Sequence, residues 1–416
     1  MTVRNWAGNV TFGAAAVHRP TSVEQLQELV AASTRVRALG SGHSFSTVAD
    51  SDGDLVSLAD LPARFDVAED RRSVTVAGGL RYGEVAPRLH AGGLALHNMG
   101  SLPHICIAGA VATGTHGSGE RLGSLATAVV GLEMVLATGE LVTVDRSTPW
   151  FPGAVVALGS LGVVTALTLS VEPTYDVTQQ VFDHLPAASL ADRMDDVFSA
   201  GDSVSVFTLW DPRGADQVWV KRRADRGWDP RPERWLGAVL APDARHPVRS
   251  VPAEATTTQL GVPGPWHERL PHFRLDHTPS AGDELQTEYL VDREDAAAVL
   301  DAVGSLRDRI RPPLLVSELR TVAGDDLWLS PAYGRDSLAV HFTWRPDPAG
   351  VLPVVAALDS LMAPFGARPH WGKVFGTGPD ALAATYPRFD DARRLRRELD
   401  PDGVFGNAFV DRYLPR

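Results

Sequence analysis

The residues best suited to chemistry lie in three short strand-like segments, 284–291, 314–320 and 338–344. Alternate residues of a strand point to the same face, so Glu318 and Arg320 share one face, as do His341 and Thr343. An acid, a cation and an imidazole held close together could bind a hydroxyl group and take its proton.

The first of these segments places Gln286 and Glu288 on one face and Thr287 and Tyr289 on the other. Each segment alone could be the solvated face of an antiparallel sheet. Side by side, the three would form one polar sheet floor suited to a hydroxyl-rich ligand. Alternation does not choose between these two interpretations.

A second candidate is Gly40–Ser46, Gly-Ser-Gly-His-Ser-Phe-Ser, which follows the β-prone run 36–39. Glycines allow a close backbone approach, and successive N–H groups in such a turn can form a nest for an anion such as phosphate. His43 adds an imidazole with a nucleophilic nitrogen. This pattern indicates either a cofactor loop, with a histidine able to bond to the cofactor, or a glycine-rich surface turn.

The spacing excludes the common nucleotide motifs. Phe45 stands where a dinucleotide fingerprint would have its third glycine. Gly372-Lys373 is followed by Val374, so it does not complete a Walker loop either.

The stretch Gly100–Gly119 is dominated by glycine and other small residues. This composition is unfavourable for ordinary helices and strands. We therefore expect a long loop, and loops of this length inside a domain are usually functional. Small side chains would let a flat ligand lie against the backbone, with Ser101, Thr113 and Thr115 as hydrogen-bonding groups.

The elements predicted around these segments alternate between short helices and strands. Thr21 and Glu24 have capping-box spacing at the start of a helix. The other predicted elements are strands at 36–39, 55–58, 73–77, 129–137, 141–144 and 161–171 and helices at 83–91 and 386–399. The uncharged run 151–171 is read as a turn, a glycine-rich loop and a strand, because it contains Pro152 and three glycines. The pattern is that of an α+β protein.

Composition limits the function classes. The formal net charge of −12 argues against nucleic-acid or anionic-membrane binding. The single cysteine, Cys106, excludes an internal disulfide and reads as a small buried residue. The first eight residues contain no apolar segment, so no secretory signal and a cytoplasmic location are expected.

Lysine is rare, with 37 arginines against 2 lysines, Lys221 and Lys373; this usage suggests a GC-rich bacterial genome and singles out each lysine. Residues 211–283 are rich in Pro, Arg and Asp and read as strands joined by irregular loops. Within them, His267, Glu268 and His272 are one residue too widely spaced for a zinc-protease helix motif, so no metal site is predicted.

Five segments together resemble the vanillyl-alcohol-oxidase type of FAD-dependent oxidoreductase, and within it the branch of alditol oxidases and sugar-1,4-lactone oxidases. They are Gly-Ser-Gly-His-Ser-Phe at 40–45, the loop 101–119, Ser-Glu-Leu-Arg at 317–320, His-Trp-Gly-Lys at 370–373 and Leu-Asp-Pro-Asp-Gly-Val-Phe at 399–405. The likeness is firm up to about residue 171 and from about 317, and loose between.

The resemblance implies an α+β flavoprotein of two domains. An FAD-binding domain of the vanillyl-alcohol-oxidase (PCMH) type would span 1–172, completed by 370–416, and a substrate-binding cap built on a large antiparallel sheet would span 173–369. FAD would be bonded covalently to His43. The cofactor-binding residues implied are Ser41, Gly42, His43, Ser44, Phe45, Ser46, Ser101, Gly109, Thr113, Gly114, Thr115, His116, Val163, His370 and Lys373.

The activity implied is oxidation of the terminal primary alcohol of an alditol such as xylitol or sorbitol, with O2 reduced to H2O2. The catalytic candidates are Arg320, Lys373, His341 and Glu318, and the substrate-binding candidates are Ser101, Gln286, Glu318, Arg320 and Thr343. The alternatives are a sugar-1,4-lactone oxidase, a dehydrogenase with another acceptor, and a noncatalytic flavin- or sugar-binding protein. We expect a monomer without a nucleic-acid, membrane or metal partner.

Overall fold

The computed structural model describes residues 3–227, 232–278, 280 and 283–416. Parts of the N-terminal segment and of the 211–283 region interpreted above lie outside the described residues.

The strands, in chain order, are β1 (Val17–His18), β2 (Val36–Ala38), β3 (Asp54–Val56), β4 (Phe65–Val67), β5 (Ser73–Ala77), β6 (Leu94–Ala95), β7 (Val129–Val135), β8 (Leu141–Asp145), β9 (Val163–Ser170), β10 (Glu172–Pro173), β11 (Asp176–Pro186), β12 (Ser203–Thr208), β13 (Gly214–Arg223), β14 (Arg234–Trp235), β15 (Ala238–Leu240), β16 (Gly264–Pro265), β17 (Leu285–Asp292), β18 (Leu314–Val322), β19 (Ser337–Trp344) and β20 (Arg368–Pro369).

The helices are mostly short. They are α1 (Val23–Ala32), α2 (Tyr82–Ala91), α3 (Ile107–Ala112), α4 (Phe151–Val155), α5 (Ala187–Asp192), α6 (Met194–Phe198), α7 (Ala296–Ser305), α8 (Arg307–Ile310), α9 (Pro348–Met362), α10 (Pro379–Ala383), α11 (Phe389–Leu399) and α12 (Ala408–Tyr413).

The first part of the chain forms a small parallel sheet of order β1-β3-β2 and an antiparallel sheet of order β4-β5-β9-β7-β8. β6 and β10 form a separate antiparallel pair. Leu26 and Val30 of α1 pack with Val135 and Val163 in a core cluster that also contains Phe405. The α1 periodicity is therefore explained by burial against both sheets.

The second part forms one ten-stranded sheet, with the order β14-β15-β11-β13-β12-β18-β19-β17-β20 and with β16 paired to β11. One face is covered by α6, α7 and α9 and buries an apolar core that includes Leu319, Val340 and Phe342. The residues between them along β18 and β19 point to the opposite face, where the polar side chains lie. This sheet confirms the predicted large antiparallel sheet.

The C-terminal segment returns to the first part of the chain. The Val36 amide donates to the Val404 carbonyl at 2.8 Å, and Arg35 pairs with Asp411 at 3.0 Å. The Asn407 side-chain amide donates to the carbonyls of Thr47, Val48 and Asp50. These contacts attach the tail beside the glycine-rich loop; the division of the chain at residue 172 stays a prediction.

Three local expectations were wrong. The 100–119 stretch is not a continuous loop, because α3 forms within it from small apolar residues. The N-cap of α1 is Ser22, whose hydroxyl accepts from the Gln25 amide at 3.3 Å, and not Thr21. The helix expected at 386–399 begins at Phe389.

The run 151–171 forms α4, a loop and β9. Within the described residues, only Pro348–Phe365 is long and apolar enough to cross a membrane by length and composition, with a mean hydropathy of 1.5. Its residues Val351, Val355 and Leu358 belong to the core beneath the ten-stranded sheet.

Candidate active site

A cavity of about 710 Å³ lies between the glycine-rich loops and the polar face of the ten-stranded sheet. All the predicted catalytic and substrate-binding residues line it. Of the predicted cofactor residues, Gly114 and Val163 do not. A Cβ at Gly114 would lie 2.9 Å from Pro331, and Val163 is buried in the α1 core, so Gly162 and Val164 line that part of the wall instead.

The floor of the cavity consists of β18, β19 and β17 side by side. In the strand register, Glu318 on β18 lies opposite His341 on β19, and His341 lies opposite Glu288 on β17. In the next row of polar residues, Thr343 on β19 lies opposite Gln286 on β17. The three segments identified in the sequence therefore form one floor, as the polar-floor interpretation predicted.

Glu288 is the centre of the charged network, and its side chain is fully buried. Its carboxylate accepts from Arg320 Nη2 at 2.5 Å and from Lys373 Nζ at 2.7 Å, and it lies 3.5 Å from His116 Nε2. Burial alone would raise the pKa of Glu288, but Lys373, Arg320 and His116 outweigh it and hold the pKa well below its ordinary value. Sequence reasoning placed Glu288 on the right face without assigning it to the site.

Glu318 is the second buried carboxylate. His272 Nε2 lies 2.8 Å from Glu318 Oε1, and His341 Nδ1 lies 3.6 Å from Oε2. Burial opposes ionisation of Glu318, but Arg320 and His272 overcome it and lower the pKa of Glu318. His272 therefore belongs to the site, although the sequence pattern places it only in a spacing that does not fit a zinc motif.

The two cations are held in different ways. Arg320 lies between the Glu318 and Glu288 carboxylates and donates to Ser101 Oγ at 3.5 Å. Burial opposes the charge of Arg320, but Glu318 and Glu288 outweigh it and raise the pKa of Arg320. Burial lowers the pKa of Lys373, with Glu288 opposing the shift. Both therefore face the cavity as compensated buried charges.

His341 has a different character. Burial, followed by Lys373, lowers the pKa of His341 to about 4, so its imidazole is neutral near pH 7. Among the residues that the structure describes, its Nε2 atom has no hydrogen-bond partner, whereas its Nδ1 faces Glu318. A neutral imidazole with one unpaired nitrogen can accept a proton from a ligand hydroxyl.

The two glycine-rich loops touch each other at the other side of the cavity. A Cβ at Gly40 would lie 3.1 Å from the Cβ of Cys106, and the Cys106 amide donates to Ser41 Oγ at 3.1 Å. Gly42 has a φ of 68°, in the left-handed region that favours glycine. Glycine therefore permits the close approach of the two loops at position 40 and favours the turn at position 42.

The same loop is joined to the 370–373 turn. The amide of Phe45 donates to the Gly372 carbonyl at 2.7 Å, and Ser46 Oγ donates to the Trp371 carbonyl at 2.7 Å. The His370 amide in turn donates to the Glu288 carbonyl at 2.9 Å. One chain of hydrogen bonds therefore links the His43 loop, Lys373 and the floor.

His43 lies in the cavity wall, with Trp6 packed against its ring at a centroid distance of 5.1 Å. Burial, with smaller contributions from His104 and Arg81, lowers the pKa of His43 to about 4. The imidazole is therefore neutral near pH 7 and keeps a nitrogen lone pair available for bond formation.

The cavity wall fits a flat cofactor with a phosphate group. A Cβ at Gly109 would meet no heavy atom within 4 Å, so this glycine leaves cavity space open above α3. The turn at Gly42 is of the kind that aims successive amides at an anion.

No group of three His, Cys, Asp or Glu residues that could hold a metal occurs in the described part of the chain. His267 contacts His90 edge-on, at a ring-centroid distance of 5.2 Å.

Comparisons with known proteins define the class. Residues 14–145 match a family model described as FAD binding domain, and residues 283–413 match one described as D-arabinono-1,4-lactone oxidase. A solved cholesterol oxidase from B. sterolicum has the same fold, with a TM-score of 0.80 over 100% of this chain and 96% of that one, at 16% identity. The FAD-binding-domain match and the shared fold define the chain as an FAD-dependent oxidoreductase.

Two relatives define the family more narrowly. The chain is 52% identical over 411 residues to an alditol oxidase from Streptomyces sp. (strain IKD472 / FERM P-14339), covering 98% of each chain. It is 31% identical over 435 residues to an L-gulono-1,4-lactone dehydrogenase from Mycobacterium tuberculosis, covering 99% of this chain and 98% of that protein. The chain belongs to the alditol oxidase and sugar-lactone oxidase family of FAD-dependent enzymes, which confirms the resemblance described above.

Proposed function

We propose that this enzyme oxidises the terminal primary alcohol of an alditol to the aldose. The observation that carries the proposal is the polar floor, which presents Gln286, Glu318, Arg320, His341 and Thr343 to one cavity. In balance, the alcohol and O2 give the aldehyde and H2O2. When bound, FAD would supply the hydride acceptor and the route by which the two electrons reach O2. Residues 1–172 and 370–416 are proposed to hold it, and 173–369 to hold the substrate.

The side chains divide the work between charge and proton transfer. Arg320 and Lys373 face the position where the substrate oxygen gains negative charge, and each preorganised donor of this kind is typically worth about 3–4 kcal/mol. His341 Nε2 takes the hydroxyl proton. Glu318 keeps Nδ1 of His341 protonated and accepts hydrogen bonds from further substrate hydroxyls.

A polyol suits this floor better than a lactone. An extended alditol offers a hydroxyl on every carbon and can satisfy several of these buried groups at once. A lactone ring offers fewer donors and would leave buried polar groups unpaired, at a cost of about 1–3 kcal/mol each. The 52% identity to an alditol oxidase, against 31% to the lactone dehydrogenase, favours the same assignment.

We therefore expect kcat/KM for xylitol or sorbitol to exceed that for gulono- or galactono-1,4-lactone by at least about a hundredfold, since a site built for hydroxyls rejects analogues that lack them. Peroxide release measured side by side on purified holoenzyme tests this. A lactone that outperforms every C4–C6 alditol would refute the alditol assignment and leave the lactone oxidase alternative.

The flavin is proposed to be bonded covalently to His43. His43→Ala should yield protein that releases all its flavin on acid precipitation, whereas wild-type protein should retain the yellow colour in the pellet. His90→Ala, at the end of α2, is the matched control and should retain it. Covalent flavin in the His43→Ala protein would overturn this assignment.

Oxygen is proposed as the electron acceptor because Gly100 leaves room in the cavity wall. A Cβ at Gly100 would lie 3.8 Å from its nearest neighbours, so alanine fits there, while valine adds two more carbons. Stopped-flow mixing of reduced enzyme with O2 should show fast reoxidation of wild type, slower reoxidation of Gly100→Ala and the slowest of Gly100→Val. Slow wild-type reoxidation would favour a dehydrogenase.

A further inference from the structure

Beside Glu318, on the same side of the ten-stranded sheet, lies a second pair of titratable residues that the proposed chemistry does not use. Lys221 on β13 has 1% of its surface exposed, and His272, in the connection from β16 to β17, has 5%. Lys221 Nζ lies 3.0 Å from His272 Nδ1, and His272 Nε2 lies 2.8 Å from Glu318 Oε1. The three residues form a line that leads from the protein interior to the cavity floor.

The surroundings of Lys221 match a protonated amine. Its Nζ atom donates to the Leu270 carbonyl at 2.5 Å and to the Pro271 carbonyl at 3.2 Å, and His272 Nδ1 is its third neighbour. An ammonium group has three protons and no acceptor, so all three are used. His272 Nδ1 must then be the acceptor and carries no proton.

This fixes the tautomer of His272. A neutral imidazole with a bare Nδ1 carries its proton on Nε2, which faces Glu318. The ring cannot turn freely, because Trp219 and Phe207 contact it edge-on at centroid distances of 5.2 and 5.5 Å. The His272 amide also donates to the Ser101 carbonyl at 3.1 Å, so the same residue is bonded to the start of the 100–119 stretch.

We propose that Lys221 and His272 are positioning residues for Glu318: the lysine fixes the Nε2–H tautomer of His272, and this N–H holds the Glu318 carboxylate in the orientation that faces His341. The proposal rests on the function assigned above for its kinetic consequence, but its structural part is independent of substrate. The proposal also explains why position 221 has a lysine in an arginine-rich chain, because a compact donor with three protons fits this position.

The tautomer can be measured directly. Burial, with Glu318 opposing, lowers the pKa of Lys221 to about 7, and burial followed by Lys221 lowers the pKa of His272 to about 4. At pH 6 the lysine is therefore mostly charged and the histidine neutral. The other charged and titratable groups that face this line are Arg320 from β18 and His341 from β19.

The experiment is nitrogen NMR of the holoenzyme labelled with 15N-histidine, at pH 6, with His272→Gln used to assign the signal. We expect a neutral His272 with a protonated Nε2 and a bare Nδ1, and loss of this fixed state in Lys221→Met. A protonated Nδ1 in wild type would overturn the proposal. This result does not depend on which alcohol is oxidised.

Kinetics provide the second test. His272→Gln can still donate to Glu318, whereas His272→Leu cannot. Loss of a hydrogen bond to a charged group predicts a kcat/KM about ten- to a hundredfold lower for His272→Leu, with His272→Gln within a few-fold of wild type. His267→Leu, on the same connection, is the control and should be unchanged. Equal losses in the Gln and Leu variants would refute a positioning role even if alditol oxidation itself is confirmed.

Discussion

Replacing Arg320 or Lys373 by alanine should lower kcat/KM for xylitol at least about a hundredfold in each case, because in the proposed mechanism each side chain is a preorganised cation beside the reacting oxygen. The loss should be larger than an exposed charge would give, since the side chains of Arg320 and Lys373 are only 5% and 13% exposed. Steady-state peroxide release measures it.

Arg345→Ala is the matched control, because this arginine lies at the exposed end of the same sheet. Lys373→Arg separates charge from shape: the larger guanidinium should not restore activity where Lys373 Nζ sits 2.7 Å from Glu288. Full activity in Lys373→Arg would count against a requirement for a compact charge.

Replacing Glu288 by glutamine should lower kcat/KM about as much as the loss of either cation, although glutamine has nearly the same shape as glutamate. The change leaves Arg320 and Lys373 buried without the carboxylate that both contact at 2.5 and 2.7 Å. Breaking a buried ion pair typically costs about 3–5 kcal/mol, so we expect a lower unfolding temperature together with a kcat/KM reduced at least about a hundredfold.

Glu294→Gln, two residues beyond the end of β17 and exposed, is the control and should change neither quantity. Thermal unfolding and peroxide release are measured on the same preparations. A Glu288→Gln enzyme with wild-type activity and stability would show that the two cations do not depend on this carboxylate.

Alternation along single strands predicted which side chains share the cavity floor, because the period of a strand is a local property. It could not identify Glu288 as the centre of the network. The partners of Glu288 come from three separate segments, with Arg320, Lys373 and His116 brought together only by the strand order and by the 370–373 turn.

The errors have a common cause in tertiary context. α3 forms in a stretch whose glycine content disfavours a helix, because Ile107 and Val111 are buried in the core of the first half. The local spacing around His272 does not reveal its partner Lys221, which lies 51 residues earlier in the chain. The assignment of Gly114 and Val163 as cofactor residues comes from family likeness and stays a prediction; that neither lines the cavity follows from packing that a motif does not encode.

The hydrogen bonds between the His43 loop and the 370–373 turn also set the order in which the enzyme can be assembled. Ser46 and Trp371 are 325 residues apart, so the loop lacks its partner until most of the chain has left the ribosome. The N-terminal sheets can form early, but the cofactor loop cannot reach its final conformation then. We expect flavin loading to follow chain completion, and shortening the chain before residue 370 to remove cofactor retention and the substrate site together.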